Sequence, residues 1–229
     1  MRKSAEYALD GVIVLTDGAM KIMKKPLKLY YAPGTCALAC WIALDWAGAE
    51  YSVEKVDPSS DSYRRINPLR TVPAIDIGSE RPMTQADAIL KFIADRHPDK
   101  NLGGDEGEEA AFEFDEVMAF LSGDFHPAFW PYFSPGRFTT ETSEPALEAV
   151  RTASYARVER VLEHLHALIG DTSHVYRGKR TVADGYAFVM TNWSTKLPVS
   201  WRDYPNLRSF MERMAADESV AKVLMQSNA

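Results

Sequence analysis

LKLYYAPGTCALACWIALDWAG, residues 27–48, decides the fold. Its first five residues form a short β-rich apolar run, Pro33-Gly34 breaks that run, and an apolar helical period then continues to Ala47, where Gly48 supplies a C-terminal stop. Strand, turn and helix follow without a gap. The segment also carries Cys36 and Cys40, four residues apart and therefore on one helix face rather than pointing at each other. Cys36 falls at or just before the first helical turn, where unpaired amides and the helix dipole favour negative charge. That position predicts a thiol that ionises more easily than a free cysteine. The alternative, a small hydrophobe in a core, stands for Cys36 and fits Cys40 best, one turn deeper in an apolar segment.

Downstream, EYSVEKVD alternates with period two as a second strand, VPAIDIG and RPM supply two more short strands, and QADAILKFIADRH reads as a helix. The order is βαβ followed by ββα. Pro58 to Pro68 is polar and turn-rich, so any helix there is short or irregular. In Val72-Pro73-Ala74 the proline opens a strand, and a cis bond before it would suit a Val72 backbone that pairs with an extended, peptide-like ligand.

The polar, glycine-rich PDKNLGGDEG, residues 98–107, is the linker candidate. Beyond it helical periods replace strand signals: Glu108 to Phe125, Ser143 to Gly170, Val182 to Lys196 and Asn206 to Met225. This predicts an α/β unit over 27–100 and an all-helical unit over 106–229. TVAD offers Thr181 as N-cap with Asp184 as the acidic residue three positions on, although Arg180 replaces the usual apolar staple. Residues 1–26 show no sustained period and read as an N-terminal extension of uncertain role, with Met20 or Met23 as alternative starts.

Composition limits the function classes. A chain of 229 residues, 46% hydrophobic, can bury a full core, and a net charge of -6 without a lysine or arginine block opposes nucleic-acid binding. Two cysteines are too few for a disulfide framework, so a reducing, cytoplasmic setting is expected. There is no signal-peptide pattern and no window near the roughly 20 apolar residues of a membrane span. The five histidines show no metal-site spacing, so no metal is expected.

KLYYAPGTCALA, NPLRTVPAI, TQADAIL, FHPAFWPYF and TVADGYAFVMTNW, in this order, resemble the glutathione S-transferase family, and within it the bacterial beta class. The resemblance covers nearly all of residues 27–229. It implies a thioredoxin-like N-terminal domain joined to an all-α C-terminal domain, a homodimer, and glutathione as co-substrate. It also implies a catalytic set of Cys36 at the glutathione sulfur, His126 from the helical domain and Tyr31 at the N-terminal tyrosine position. The implied glutathione-binding residues are Thr71, Val72, Pro73, Gln85, Ala86 and Trp193, with Val72 on the cysteinyl backbone and Gln85 at the γ-glutamyl end. His126 would polarise or deprotonate a thiol, a task suited to a pKa near neutrality.

Some positions depart from the pattern. Ala86 stands where the family has serine, and the loop from Asp57 to Asn67 is shorter, which leaves Arg64, Arg65 or Arg70 as substitutes for a carboxylate-binding cation. Ala119 and Pro127 replace polar ligand contacts, which predicts weakened glutathione affinity. The aromatic run from Phe125 to Phe138 reads either as the wall of an apolar electrophile pocket or as inter-helix core. The implied activity is conjugation of glutathione to small hydrophobic electrophiles, with thiol–disulfide exchange at Cys36 as a variant. The alternative, favoured by Ala86 and Ala119, is a non-catalytic module that binds a protein or an apolar ligand.

Overall fold

The structure, a computed structural model, describes residues 26–228 and, as backbone, residues 11–16 and 19–24. Strands β1 (Gly11–Thr16) and β2 (Ala19–Lys24) pair antiparallel as a separate ladder from Gly11↔Lys24 to Thr16↔Ala19. The expectation of an unpatterned extension misses this hairpin. Its signal in the sequence is Asp17-Gly18, a residue pair favoured in two-residue hairpin loops.

The main sheet has four strands, β3 (Leu27–Tyr31), β4 (Tyr51–Lys55), β5 (Ala74–Asp76) and β6 (Met83–Thr84), in the order β4-β3-β5-β6. β3 and β4 are parallel, so a crossover must join them, and α1 (Ala37–Trp46) is that crossover. The β3–β5 and β5–β6 pairs are antiparallel, as a βαβ unit followed by ββ requires. The period of two in LKLYY sorts its side chains: Leu27, Leu29 and Tyr31 enter the main core. Tyr30 faces the other way and packs with Ala74 and with Tyr63 of α2 (Asp61–Ile66), the short helix expected in the polar loop. α3 (Ala86–Arg96) closes the unit on the α1 side of the sheet.

The helical part comprises α4 (Glu108–Phe120), α5 (His126–Ala128), α6 (Trp130–Phe133), α7 (Glu144–Ile169), α8 (Val182–Trp193), α9 (Pro205–Ala215) and α10 (Glu218–Ser227). The single helix expected over Asn206 to Met225 is two helices. Asp217 accounts for the break: its carboxylate accepts the Val220 N–H at 3.1 Å and caps a new start. Among the described residues no helix is long and apolar enough to cross a membrane.

α1 is buried almost all round, because it lies between the sheet, α3 and the helices α8 and α10. Gly185 of α8 permits that approach: a Cβ there would sit 3.3 Å from the Trp46 ring and 3.6 Å from Ile42. Trp46 then donates its indole N–H to Asp217 at 2.9 Å. The thioredoxin-like unit and the helical unit thus meet on α1, and both reach its Cys36 end, through the Val72 carbonyl and the Trp193 indole.

Candidate active site

The approach to Cys36 is built by the Pro-Gly turn. Gly34 takes a φ of +71°, open to glycine without steric cost, and Thr35 Oγ1 closes the turn by donating to the Ala32 carbonyl at 2.7 Å. Cys36 follows at the N-cap of α1 with only 6% of its surface exposed, and its thiol donates to the Val72 carbonyl at 3.5 Å. Burial pushes this thiol up to about 12, and the opposing help of the backbone amide is smaller. The expectation of an easily ionised thiol is therefore corrected. The helix start is where the sequence placed it, but desolvation by burial outweighs it. Cys40 is fully buried with its thiol 3.7 Å from the Ala86 carbonyl, in the packing role expected of it.

Opposite Cys36 lies the segment leading to the Val72–Pro73 bond, which is cis as anticipated. It is held from below. The Thr71 carbonyl accepts from Tyr63 Oη and from Asn67 Nδ2, each at 2.7 Å, while Asn67 Oδ1 accepts the Leu69 N–H at 3.1 Å. Tyr63 and Asn67 are buried, and nothing in the sequence marks one tyrosine or asparagine of a polar loop as a support. Among the described residues nothing accepts the Val72 N–H. Of the three candidate cations, Arg70 is engaged by the Ser59 carbonyl and Asp61. Arg64 and Arg65 are exposed at the end of α2, and their guanidinium groups bond no described residue. Gln85 precedes α3, exposed and at a φ of +77°, and Ala86 is buried behind it.

From the helical side, α4 runs into a π-helical turn, Leu121–Phe125, and His126 follows directly. Such a turn inserts a residue and re-aims the side chains beyond it. His126 Nδ1 lies 3.1 Å from the Tyr186 hydroxyl, and its ring is 5.1 Å from that of Trp193 and 5.8 Å from that of Trp130. Trp193 in turn donates its indole N–H to the Gly34 carbonyl at 2.9 Å. One tryptophan thus ties the histidine to the turn that presents Cys36. Burial lowers His126 to about 4, so the imidazole is neutral at pH 7, and the expected pKa near neutrality is corrected.

The lowered pKa has a consequence for stability. Between pH 6.5 and about 4 the unfolded chain binds a proton at His126 that the folded chain refuses, so folding weakens as pH falls through this window. The urea midpoint is expected to fall less from pH 7 to pH 5 in His126→Gln than in the unsubstituted protein. Equal slopes would contradict the buried, neutral ring.

Tyr31 is buried in the same core cluster as Cys36, with its ring 4.8 Å from that of Trp41. The aromatic run divides between its two readings: Phe125 and Phe129 are fully buried, whereas Trp130, Phe133 and Phe138 are 40–50% exposed. Phe133 stacks against Phe129 and meets Trp193 edge-on at 5.4 Å. Among the described residues no group of three or more His, Cys, Asp or Glu could hold a metal ion.

Comparison with known proteins gives two family matches: the glutathione S-transferase N-terminal domain over residues 34–96 and the glutathione S-transferase C-terminal domain over residues 110–218. A glutathione S-transferase of Xanthomonas campestris pv. campestris, GST-4.5, is 35% identical over 207 residues, which span 86% of this chain and 97% of that protein. Among solved structures, the bacterial beta class glutathione S-transferase of Sphingomonas chungbukensis is 32% identical with a TM-score of 0.77, covering 87% of this chain and 98% of its own. A sphingomonad glutathione S-transferase complexed with glutathione is 30% identical, also with a TM-score of 0.77, over 88% of this chain and 98% of its own.

Proposed function

The chain belongs to the glutathione S-transferase family, and we propose that it conjugates glutathione, its co-substrate, to small hydrophobic electrophiles. One observation carries the reading: Trp193 bridges the His126 ring to the Gly34 carbonyl two residues before Cys36, whose thiol reaches the Val72 carbonyl beside a Val72 N–H with no acceptor among the described residues. In this reading the tripeptide lies along Val72-Pro73 with its γ-glutamyl end at Gln85 and its glycine carboxylate toward Arg64 or Arg65. Thr71 supports from behind, because its carbonyl is already taken by Tyr63 and Asn67. Ala86 supplies no hydroxyl, which weakens the glutamyl end.

The chemistry follows from two neutral donors. A hydrogen bond to the charged form of an acid favours that form, so the S–H of Cys36, turned from the Val72 carbonyl onto the bound sulfur, and an N–H of His126 stabilise a glutathione thiolate without taking its proton. The proton leaves to water. The thiolate sulfur then bonds to the electrophilic carbon as the leaving group departs with its electron pair. Trp130, Phe133 and Phe138 offer the apolar wall.

A thiol held near 12 carries almost no thiolate at pH 7, which opposes exchange chemistry at Cys36. Cys36→Ser keeps a donor and should retain aryl-halide conjugation, whereas Cys36→Ala should lose about tenfold in kcat. Intact mass after incubation with oxidised glutathione at pH 7 should show no adduct on the unsubstituted protein. An adduct that vanishes in Cys36→Ser would make exchange the main reading. No retention on a glutathione column and no turnover with varied electrophiles would leave a binding module.

The same reading includes a homodimer, which would cover part of the exposed apolar surface at Leu69 and Phe112, and a reducing, cytoplasmic setting that suits two free cysteines. It divides the chain into units over 27–100 and 106–229, with residues 1–26 as an extension. The gap between the two family matches supports that division.

A further inference from the structure

We infer that Tyr186 is a positioning residue that fixes His126 as a neutral imidazole with its proton on Nε2. Tyr186 is the fifth residue of α8 and is 2% exposed, and its hydroxyl meets His126 Nδ1 at 3.1 Å. Among the described residues that hydroxyl has no other hydrogen-bond partner. Either atom could donate, and the surroundings decide between them. If Nδ1–H donated, the tyrosine proton would be left in a buried setting without an acceptor, the costlier half of an unmade hydrogen bond. If the tyrosine donates, its hydroxyl is satisfied and Nδ1 serves as acceptor. The imidazole proton then falls on Nε2, which, unlike the His166 Nδ1, is not among the buried side-chain atoms left without a partner.

The arrangement resists reversal. Burial, followed by the nearby Cys36, Cys40 and Asp87, pushes the ionisation of Tyr186 upward, so the hydroxyl remains a donor. The imidazole is also clamped by rings, perpendicular to Tyr186 and tilted against Trp193, which fixes the direction of the Nε2–H bond. His126 thereby becomes a hydrogen-bond donor rather than a base. That this donor faces a glutathione sulfur rests on the proposed function, whereas the tautomer does not.

Nitrogen NMR of protein labelled in its histidines reads the tautomer directly, with His126→Gln assigning the resonance. At pH 7 the unsubstituted protein is expected to show a protonated Nε2 and a bare Nδ1, and Tyr186→Phe to show a mixture of the two tautomers. Tyr186→Phe should also lower kcat for aryl-halide conjugation about five- to tenfold with KM for glutathione changed less than twofold. A proton on Nδ1 in the unsubstituted protein, or the same tautomer ratio in Tyr186→Phe, would overturn the inference. If the ratio shifts as expected while calorimetry detects no glutathione binding, the glutathione reading fails and the Tyr186–His126 arrangement stands.

Discussion

Asp184→Ala is expected to remove about 3–5 kcal/mol of folding stability, the range found when one member of a buried charged network is deleted. Asp184 is fully buried three residues into the start of α8. Its carboxylate accepts the N–H of Thr181 at 2.8 Å, the N–H of Val175 at 3.0 Å and Nδ1–H of His174 at 3.3 Å, and it lies 3.9 Å from the Arg213 guanidinium. One side chain therefore caps α8, anchors the preceding loop and engages α9. Alanine would leave two backbone donors without an acceptor and Arg213 without its carboxylate, so several costs of about 1–3 kcal/mol act together. For a chain of this size the melting temperature should fall by roughly 10 °C or more. Asp184→Asn keeps one acceptor oxygen and should lose about half as much. A loss below about 1 kcal/mol in urea unfolding of Asp184→Ala would show that the network is replaceable by water.

The same network shows what could be read in advance. Thr181 and Asp184 stand at capping-box spacing, and the expected bond from the Asp184 carboxylate to the Thr181 N–H is made. The sheet, α1 and the cis bond at Val72 were equally legible, because Pro33-Gly34, Gly48 and Pro73 punctuate the chain locally. Ionisation states were not. The helix start at Cys36 is a local feature, but the burial that reverses its effect is a product of tertiary packing, in which the thiol meets the Val72 carbonyl 36 residues on. His126 follows the same logic: its position shows in FHPAFWPYF, but its lowered pKa and its partner Tyr186 depend on how α5 and α8 meet. The break at Asp217 was hidden in a different way. An apolar period runs through it, and a single capping side chain overrides the period.

Gln85 supplies the second large effect, in which binding and stability are expected to move in opposite directions. Its φ of +77° and ψ of 118° place a non-glycine residue where strain of order 1–3 kcal/mol is usual. The neighbours hold it there: Thr84 pairs with Ala74 across the β5–β6 ladder, and the buried Ala86 takes the Cys40 thiol on its carbonyl. No bond of the glutamine side chain to a described residue compensates the strain, since it makes no cap hydrogen bond at the start of α3. A strained, exposed amide at the start of α3 fits a side chain aimed at a ligand. Gln85→Gly should therefore raise the unfolding free energy by about 1 kcal/mol, because glycine adopts positive φ freely, while glutathione affinity falls about tenfold or more with the lost amide. Gln85→Ala should lose the same affinity without the gain in stability, which separates backbone relief from side-chain recognition. Urea unfolding and calorimetry on the two variants decide it. Unchanged glutathione affinity in both would place the γ-glutamyl end elsewhere, and a destabilised Gln85→Gly would show that the neighbours impose no strain at this position.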